Sequence, residues 1–210
     1  MFISFEGGEA SGKTTLARML TQKLTQQEYQ VVLTKEPGGY SPFSFIREIL
    51  LNPKMPKVSY ETEALLYAAD RIEHLSHVII PAFEKKNIVI CDRYLDSSFV
   101  YQGYARKLSY RYIAQINRFA LKYLPHLTFY LDLEPVIVKK RLACFRELNL
   151  QNRLDLESLL FHQKIRQGYL KRALEEPKRI ITVDASDSLE KVFAVIYQKV
   201  KHLLCNYKFC

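Results

Sequence analysis

A chain of 210 residues, 48% hydrophobic and 25% charged, is long enough to bury one α/β core, and it carries no low-complexity tract or internal repeat. Its formal net charge of +9 is spread along the sequence rather than gathered in a run, which argues against a nucleic-acid-binding tail. Cys91, Cys144, Cys205 and Cys210 lack C-x-x-C spacing and nearby histidine pairs, so no zinc or redox motif is indicated; no apolar run reaches the ~18 residues of a membrane span.

The first predicted strand, residues 1–5, feeds residues 7–14, a full match to the phosphate-binding pattern G-x-x-x-x-G-K-[ST]. Residues 13–27 then contain neither Pro nor Gly and place Leu16, Leu20 and Leu24 at helical spacing. A strand entering the loop and a helix leaving it let the backbone of Gly7, Gly8, Glu9, Ala10, Ser11, Gly12, Lys13, Thr14 and Thr15 converge on a phosphate. The helix N-terminus adds its partial positive charge at the same point. The expected ligand is a nucleoside polyphosphate. With no basic segment and long apolar stretch ahead of this loop, no signal peptide is expected, and the reading is a reduced cytoplasmic location with Cys91 as a buried free thiol.

Further strands are predicted at 31–34, 88–91, 128–133 and 179–183, most of them continuous apolar runs that suit strands covered on both faces. Helical patterns lie between and after them at 43–51, 61–83, 110–123, 135–145, 156–175 and 189–204. Pro135 fits a first helical turn, and Pro177 separates the penultimate helix from the last strand. Strands alternating with helices imply one domain over residues 1–210. Its expected fold is α/β, a doubly wound, mostly parallel five-stranded sheet with helices on both faces. Ligands on such sheets bind beyond the carboxyl ends of the strands. Of the seven glycines, Gly7, Gly8, Gly12, Gly38, Gly39 and Gly103 are expected in loops or turns, and only Gly168 in a helix.

After the second strand comes Lys35-Glu36-Pro37-Gly38-Gly39-Tyr40, and after the third Asp92-Arg93-Tyr94-Leu95-Asp96-Ser97-Ser98, then Tyr101-Gln102-Gly103. An aspartate at a strand end offers hard oxygen to Mg²⁺, and an adjacent arginine offers a planar fork to a phosphate. Taken alone, Asp92 and Arg93 fit a surface ion pair equally well. Tyr67 and Arg71, four apart on one helical face, place a ring and a guanidinium where both reach one ligand.

Together these motifs resemble the bacterial thymidylate kinases, in order and spacing. Residues 5–15, 35–39, 65–71, 92–98, 101–103, 131–135, 152–155 and 183–185 carry the resemblance, which covers nearly the whole chain. It implies a P-loop nucleoside monophosphate kinase that phosphorylates dTMP to dTDP with ATP and Mg²⁺, as a homodimer, with no nucleic-acid or membrane partner. It implies that Lys13 holds the transferring phosphoryl group and that Thr14, with Asp92, serves the metal. Glu9 would reach the acceptor's sugar, Tyr67 and Arg71 the thymine, and Ser98 and Gln102 the base. Tyr101 would crowd the 2′ position. Arg47 and Arg93 would grip the acceptor phosphate, beside Glu36 and Pro37, while Arg141 and Asp184 would belong to the ATP side.

Apart from Lys13 the loop contains no basic residue, so a further cation is expected from elsewhere. Arg146 and Arg153 bracket a polar stretch that resembles the lid of enzymes supplying their catalytic arginine there, at about 146–153. Departures from the family's pattern are Tyr67 for Phe, Lys35 for Arg, Tyr40 for Thr, Asn152 for an acid and Asp155 for Glu. Three other readings stay open at this point, one of them a nucleoside monophosphate kinase for another base. A deoxynucleoside kinase would need a base, with Glu36 the candidate. A non-catalytic P-loop module would bind nucleotide only.

Overall fold

The structure is a computed structural model that describes residues 1–145 and 151–206. Five strands form one parallel sheet: β1 (Phe2–Gly7), β2 (Val31–Lys35), β3 (Ile88–Asp92), β4 (Leu127–Asp132) and β5 (Ile180–Asp184), in the order β2-β3-β1-β4-β5. The direction of winding reverses at β1, so the ligand crevice of a doubly wound sheet falls beyond its carboxyl end.

Side-chain alternation along the central strands divides the core. Ile3 and Phe5 of β1, Ile88 and Ile90 of β3 and Phe129 and Leu131 of β4 face α1 (Lys13–Thr25), α7 (Pro135–Phe145) and α9 (Leu189–Asn206). Phe2 of β1 with Val89 and Cys91 of β3 face the opposite layer. That layer holds α2 (Ser44–Leu51), α3 (Tyr60–His74), α4 (Ile80–Glu84), α5 (Leu95–Ser98), α6 (Tyr110–Ile116) and α8 (Leu159–Glu175). β2 departs from the expected double cover: it is an edge strand, and Leu33 is exposed.

Several helices differ from the sequence pattern for identifiable reasons. The pattern over 61–83 is one rod with a π turn, Leu75–Ile79, inserted ahead of Pro81, where Ile80 N–H reaches back to Leu75 O. A proline without an N–H leaves a gap in the ladder, and the wider turn accommodates it. The pattern over 110–123 breaks at Asn117, whose Nδ2 donates to Ile113 O at 2.9 Å, and a 3₁₀ turn at Ala120–Lys122 follows. Short polar side chains compete for backbone groups in this way. Ser158 caps α8 by accepting from Phe161 N–H at 3.2 Å, so this helix starts at Leu159 rather than Leu156.

The expectation that Gly103 sits in a loop is wrong. The stretch after β3 is helical, α5 running into a π turn over Phe99–Ala105 that contains Tyr101, Gln102 and Gly103. Gly168 lies within α8 as expected, and a Cβ there would stand 3.0 Å from Val100 Cγ1, so the glycine lets α8 approach this segment.

Candidate active site

The loop between β1 and α1 has the geometry that its glycines require. Gly7 and Gly12 have φ of 145° and 92°, and a Cβ on Gly7 would stand 2.7 Å from Leu131 O of the neighbouring strand. Gly12 is the left-handed N-cap of α1, so the first-turn N–H groups open toward the cleft without a side-chain cap. Lys13 folds back over the loop, its Nζ donating to Gly8 O at 2.6 Å and to Ser11 Oγ at 3.2 Å. Burial lowers the Lys13 ammonium to about 8; nearby Arg93 pushes the same way, and Glu9, Asp92 and Glu6 oppose. Thr14 Oγ1 donates to Asp92 Oδ2, joining the helix start to the end of β3.

A cleft of about 490 Å³ opens over this loop. Its walls include Glu9, Ala10, Ser11, Gly12, Lys13, Thr14, Thr15, Glu36, Pro37, Arg47, Tyr67, Asp92, Arg93 and Arg141. Arg93 sits at φ 71°, a left-handed conformation uncommon for a side-chain-bearing residue, which turns it back toward β1. Nη1 donates to Gly7 O at 2.9 Å, and Nη2 to Glu9 Oε1 at 2.6 Å. The Tyr101 hydroxyl donates to the same Glu9 oxygen at 3.0 Å, and the Arg93 guanidinium lies 5.1 Å from the Tyr101 ring centroid. Burial pushes the Tyr101 and Tyr67 phenols up.

Tyr67, Arg93, Ser98, Tyr101 and Gln102 also line a small pocket at the base of the cleft, where Gln102 Nε2 donates to Glu63 Oε1 at 2.8 Å. Arg47 rests on the turn after β2, Nη1 donating to Pro37 O at 2.9 Å. On the far side Arg141 bridges Ala10 O at 3.3 Å and Ala185 O at 3.0 Å, joining the loop to the segment after β5.

Three expected contacts lie elsewhere in this structure. Arg71 is 1% exposed and does not line the cleft. Its Nε donates to Glu36 Oε2 at 2.7 Å and its Nη1 to Ser98 Oγ at 2.9 Å and Asn117 Oδ1 at 2.6 Å. It sits behind Ser98 because the buried Glu36 carboxylate needs a cation beside it. Arg153 turns away from the cleft, Nη2 donating to Asn52 O, Met55 O and Pro56 O, and holds the segment after α2. Asp184 is exposed outside the cleft lining, and its carboxyl is held below the usual range by Ser186. Arg146, the other lid arginine, lies outside the described residues.

Sequence reasoning missed the layer beneath. Glu6, the last carboxylate before the loop, accepts from Tyr94 N–H at 2.8 Å, Ser97 Oγ at 2.6 Å and Tyr169 Oη at 2.8 Å. Burial pushes its carboxyl up to about 7, and Asp96 adds to the rise. A carboxylate closing an apolar strand was the available signal. Asp96 looks like part of the Asp92–Ser98 motif, but it is buried between Arg172 and Arg179.

The all-parallel sheet, the glycine loop at its switch point and the converging cations define a P-loop protein of the nucleoside monophosphate kinase type. Comparison with known proteins narrows this. The family model described as "Thymidylate kinase" matches residues 5–196. A thymidylate kinase of Onion yellows phytoplasma (strain OY-M) is 52% identical over 97% of this chain and 98% of its own, and one of Geobacillus sp. (strain WCH70) is 48% identical over 92% of each. The crystal structure of thymidylate kinase from Ehrlichia chaffeensis superposes with a TM-score of 0.77 at 29% identity, covering 96% of this chain and 98% of that one. The chain belongs to the thymidylate kinase family.

Proposed function

We propose that this protein transfers the γ-phosphoryl group of ATP to dTMP, yielding dTDP in nucleotide biosynthesis. One juxtaposition carries the reading: Lys13, Thr14 and Asp92 face the same cleft as Glu9, Arg47, Tyr67 and Arg93, so a donor polyphosphate and an acceptor phosphate have facing sites. A nucleoside monophosphate has a second pKa of about 6 and is already dianionic near neutrality, so attack requires no general base. What the chain must supply is alignment and neutralisation of the transferring charge.

Lys13 leaves its loop carbonyl for the donor phosphates, and Arg93 spans to the acceptor phosphate with Arg47. Arg146 brings the remaining cation from the lid at about 146–153. The adjoining Thr14 hydroxyl and Asp92 carboxylate suit Mg²⁺, which keeps water and phosphate for most of its ligands. When bound, Mg²⁺ neutralises charge on the donor phosphates. Tyr67 stacks on the base, Ser98 and Gln102 face it, and Tyr101, held by Glu9, crowds the ribose 2′ position. Arg141 covers the adenine. Glu36 is a poor base for a hydroxyl acceptor, because Arg71 and His74 occupy both its oxygens.

The chain acts as one domain in the cytoplasm and pairs as a homodimer. α3 exposes Leu65 and Ile72, 50% and 37% accessible, two turns apart on one face suited to a second copy. Light scattering checks the dimer. Diphosphate formation measured with ATP, Mg²⁺ and each nucleoside monophosphate in turn tests the activity. dTMP is expected to turn over fastest, and equal turnover with CMP or GMP would contradict the roles of Tyr67, Tyr101 and Gln102.

A further inference from the structure

The turn over residues 37–39 is held from α3 at two successive residues. Gly38 N–H donates to both Asp70 carboxylate oxygens, at 3.0 and 3.1 Å. One turn later His74 sits against Gly39, where an added Cβ would lie 2.4 Å from its Nε2 and 2.4 Å from Lys35 O. The imidazole is itself fixed at both ends. Nδ1 is 3.0 Å from Glu36 Oε1 and Nε2 is 2.6 Å from Thr34 Oγ1, so each ring nitrogen has a hydrogen-bond partner. Asp70 and His74 are 1% and 0% exposed, and neither lines the cleft.

The turn is in turn the seat of Arg47. Its Nη1 donates to Pro37 O at 2.9 Å, and its stem lies over Gly38 so closely that a Cβ there would meet Arg47 Cβ at 3.2 Å and Cδ at 3.1 Å. Gly38 has φ of 84°, so with its N–H fixed on Asp70 the chain leaves the turn by a left-handed path open to glycine. A guanidinium on a long flexible stem grips a phosphate well only when its resting place is fixed in advance.

We infer that Asp70 and His74 are positioning residues that fix the turn over residues 37–39 and, through it, hold Arg47 at the acceptor phosphate. The inference rests on the acceptor-phosphate role given to Arg47 under the proposed function.

The test compares binding of dTMP and of thymidine, which lacks the phosphate, by calorimetry on the full chain. Asp70→Ala is expected to weaken dTMP binding at least about tenfold, while thymidine and ATP affinities stay within about twofold. In a double-mutant cycle Asp70→Ala should add nothing to Arg47→Ala. Asp70→Asn and His74→Gln keep the local volume, give the same phosphate-selective loss to a smaller degree, and supply the reading should the alanine variant fail to fold. Parallel loss of dTMP and thymidine binding, or full additivity with Arg47→Ala, overturns the inference while leaving the site intact. Unchanged dTMP binding in Arg47→Ala alone overturns the site assignment, and this inference with it.

Discussion

Glu9 Oε1 accepts from Arg93 Nη2 at 2.6 Å, a bond between the phosphate loop and the residue that follows β3. Since Arg93 Nη1 is held at the same time by Gly7 O, the guanidinium plane is set before any phosphate arrives. Lysine keeps the charge and loses the fork. Arg93→Lys is therefore expected to lower kcat/KM for dTMP by about a hundredfold or more, the scale of removing one preorganised donor. Steady-state kinetics with a melting-temperature control checks this, and a loss under about fivefold would remove Arg93 from the phosphoryl path.

Lys13 gives a proton signature. Its ammonium stands at about 8 without nucleotide, lowered first by burial and then by Arg93. The phosphates of ATP favour the charged form, so binding near pH 8 draws about half a proton from solvent, and less at pH 7 where Lys13 is already protonated. Calorimetry of ATP binding in buffers of different ionisation enthalpy reads this directly. Zero uptake at pH 8 would mean that Lys13 is not the phosphate-facing cation.

Sequence was most legible where function is contiguous. The residues of the phosphate loop are neighbours in the chain, and the central strands are apolar runs whose type needs no partner to recognise. The stretch after β3 was hidden because Asp96, Ser97, Ser98 and Gly103 are weak helix formers and a π turn shifts the apolar spacing off 3.6 residues. The layer beneath the loop was hidden for another reason. Tyr169 meets Glu6 across 163 positions, and no local pattern announces such a pair. Arg71 and Arg153 were read from motif position, whereas their direction depends on which acceptors the fold brings near: Glu36 for one, the carbonyls after α2 for the other.

Glu6 makes folding stability depend on pH in an unusual direction for a carboxylate. Burial raises its pKa to about 7 in the folded state, against about 4.3 unfolded. A raised folded value means that the native state takes up a proton first. The contribution is therefore full below about pH 4 and is lost as pH rises through about 7, on the order of 3 kcal/mol in all. Glu6→Gln keeps the shape and removes the titration, so urea unfolding of the variant should lack this loss between pH 5 and 8. Equal pH slopes in the two proteins would show that Glu6 stays ionised in the native state.

Asp96 separates motif membership from site membership. It accepts from Arg172 Nη2 at 3.0 Å and from Arg179 Nη1 and Nη2 at 2.7 and 2.8 Å, and Arg179 Nη1 also donates to Thr128 Oγ1 at 2.9 Å. The cluster joins α5, α8 and the entry to β5 on the side of the sheet away from the phosphate loop's helix. Removing the carboxylate leaves two largely buried guanidinium groups with the partly exposed Glu175 and Glu176 as acidic partners, Glu176 for both and Glu175 for Arg172. Breaking a buried pair from one side costs about 3–5 kcal/mol, a large share of the 5–15 kcal/mol that a typical domain possesses. Asp96→Ala should thus lower the urea midpoint sharply, with Asp96→Asn falling between it and the unaltered protein. Measured well below its melting temperature, the folded variant should retain its KM for ATP and dTMP within about threefold, whereas a selective loss of dTMP affinity at unchanged stability would place Asp96 in the acceptor site after all.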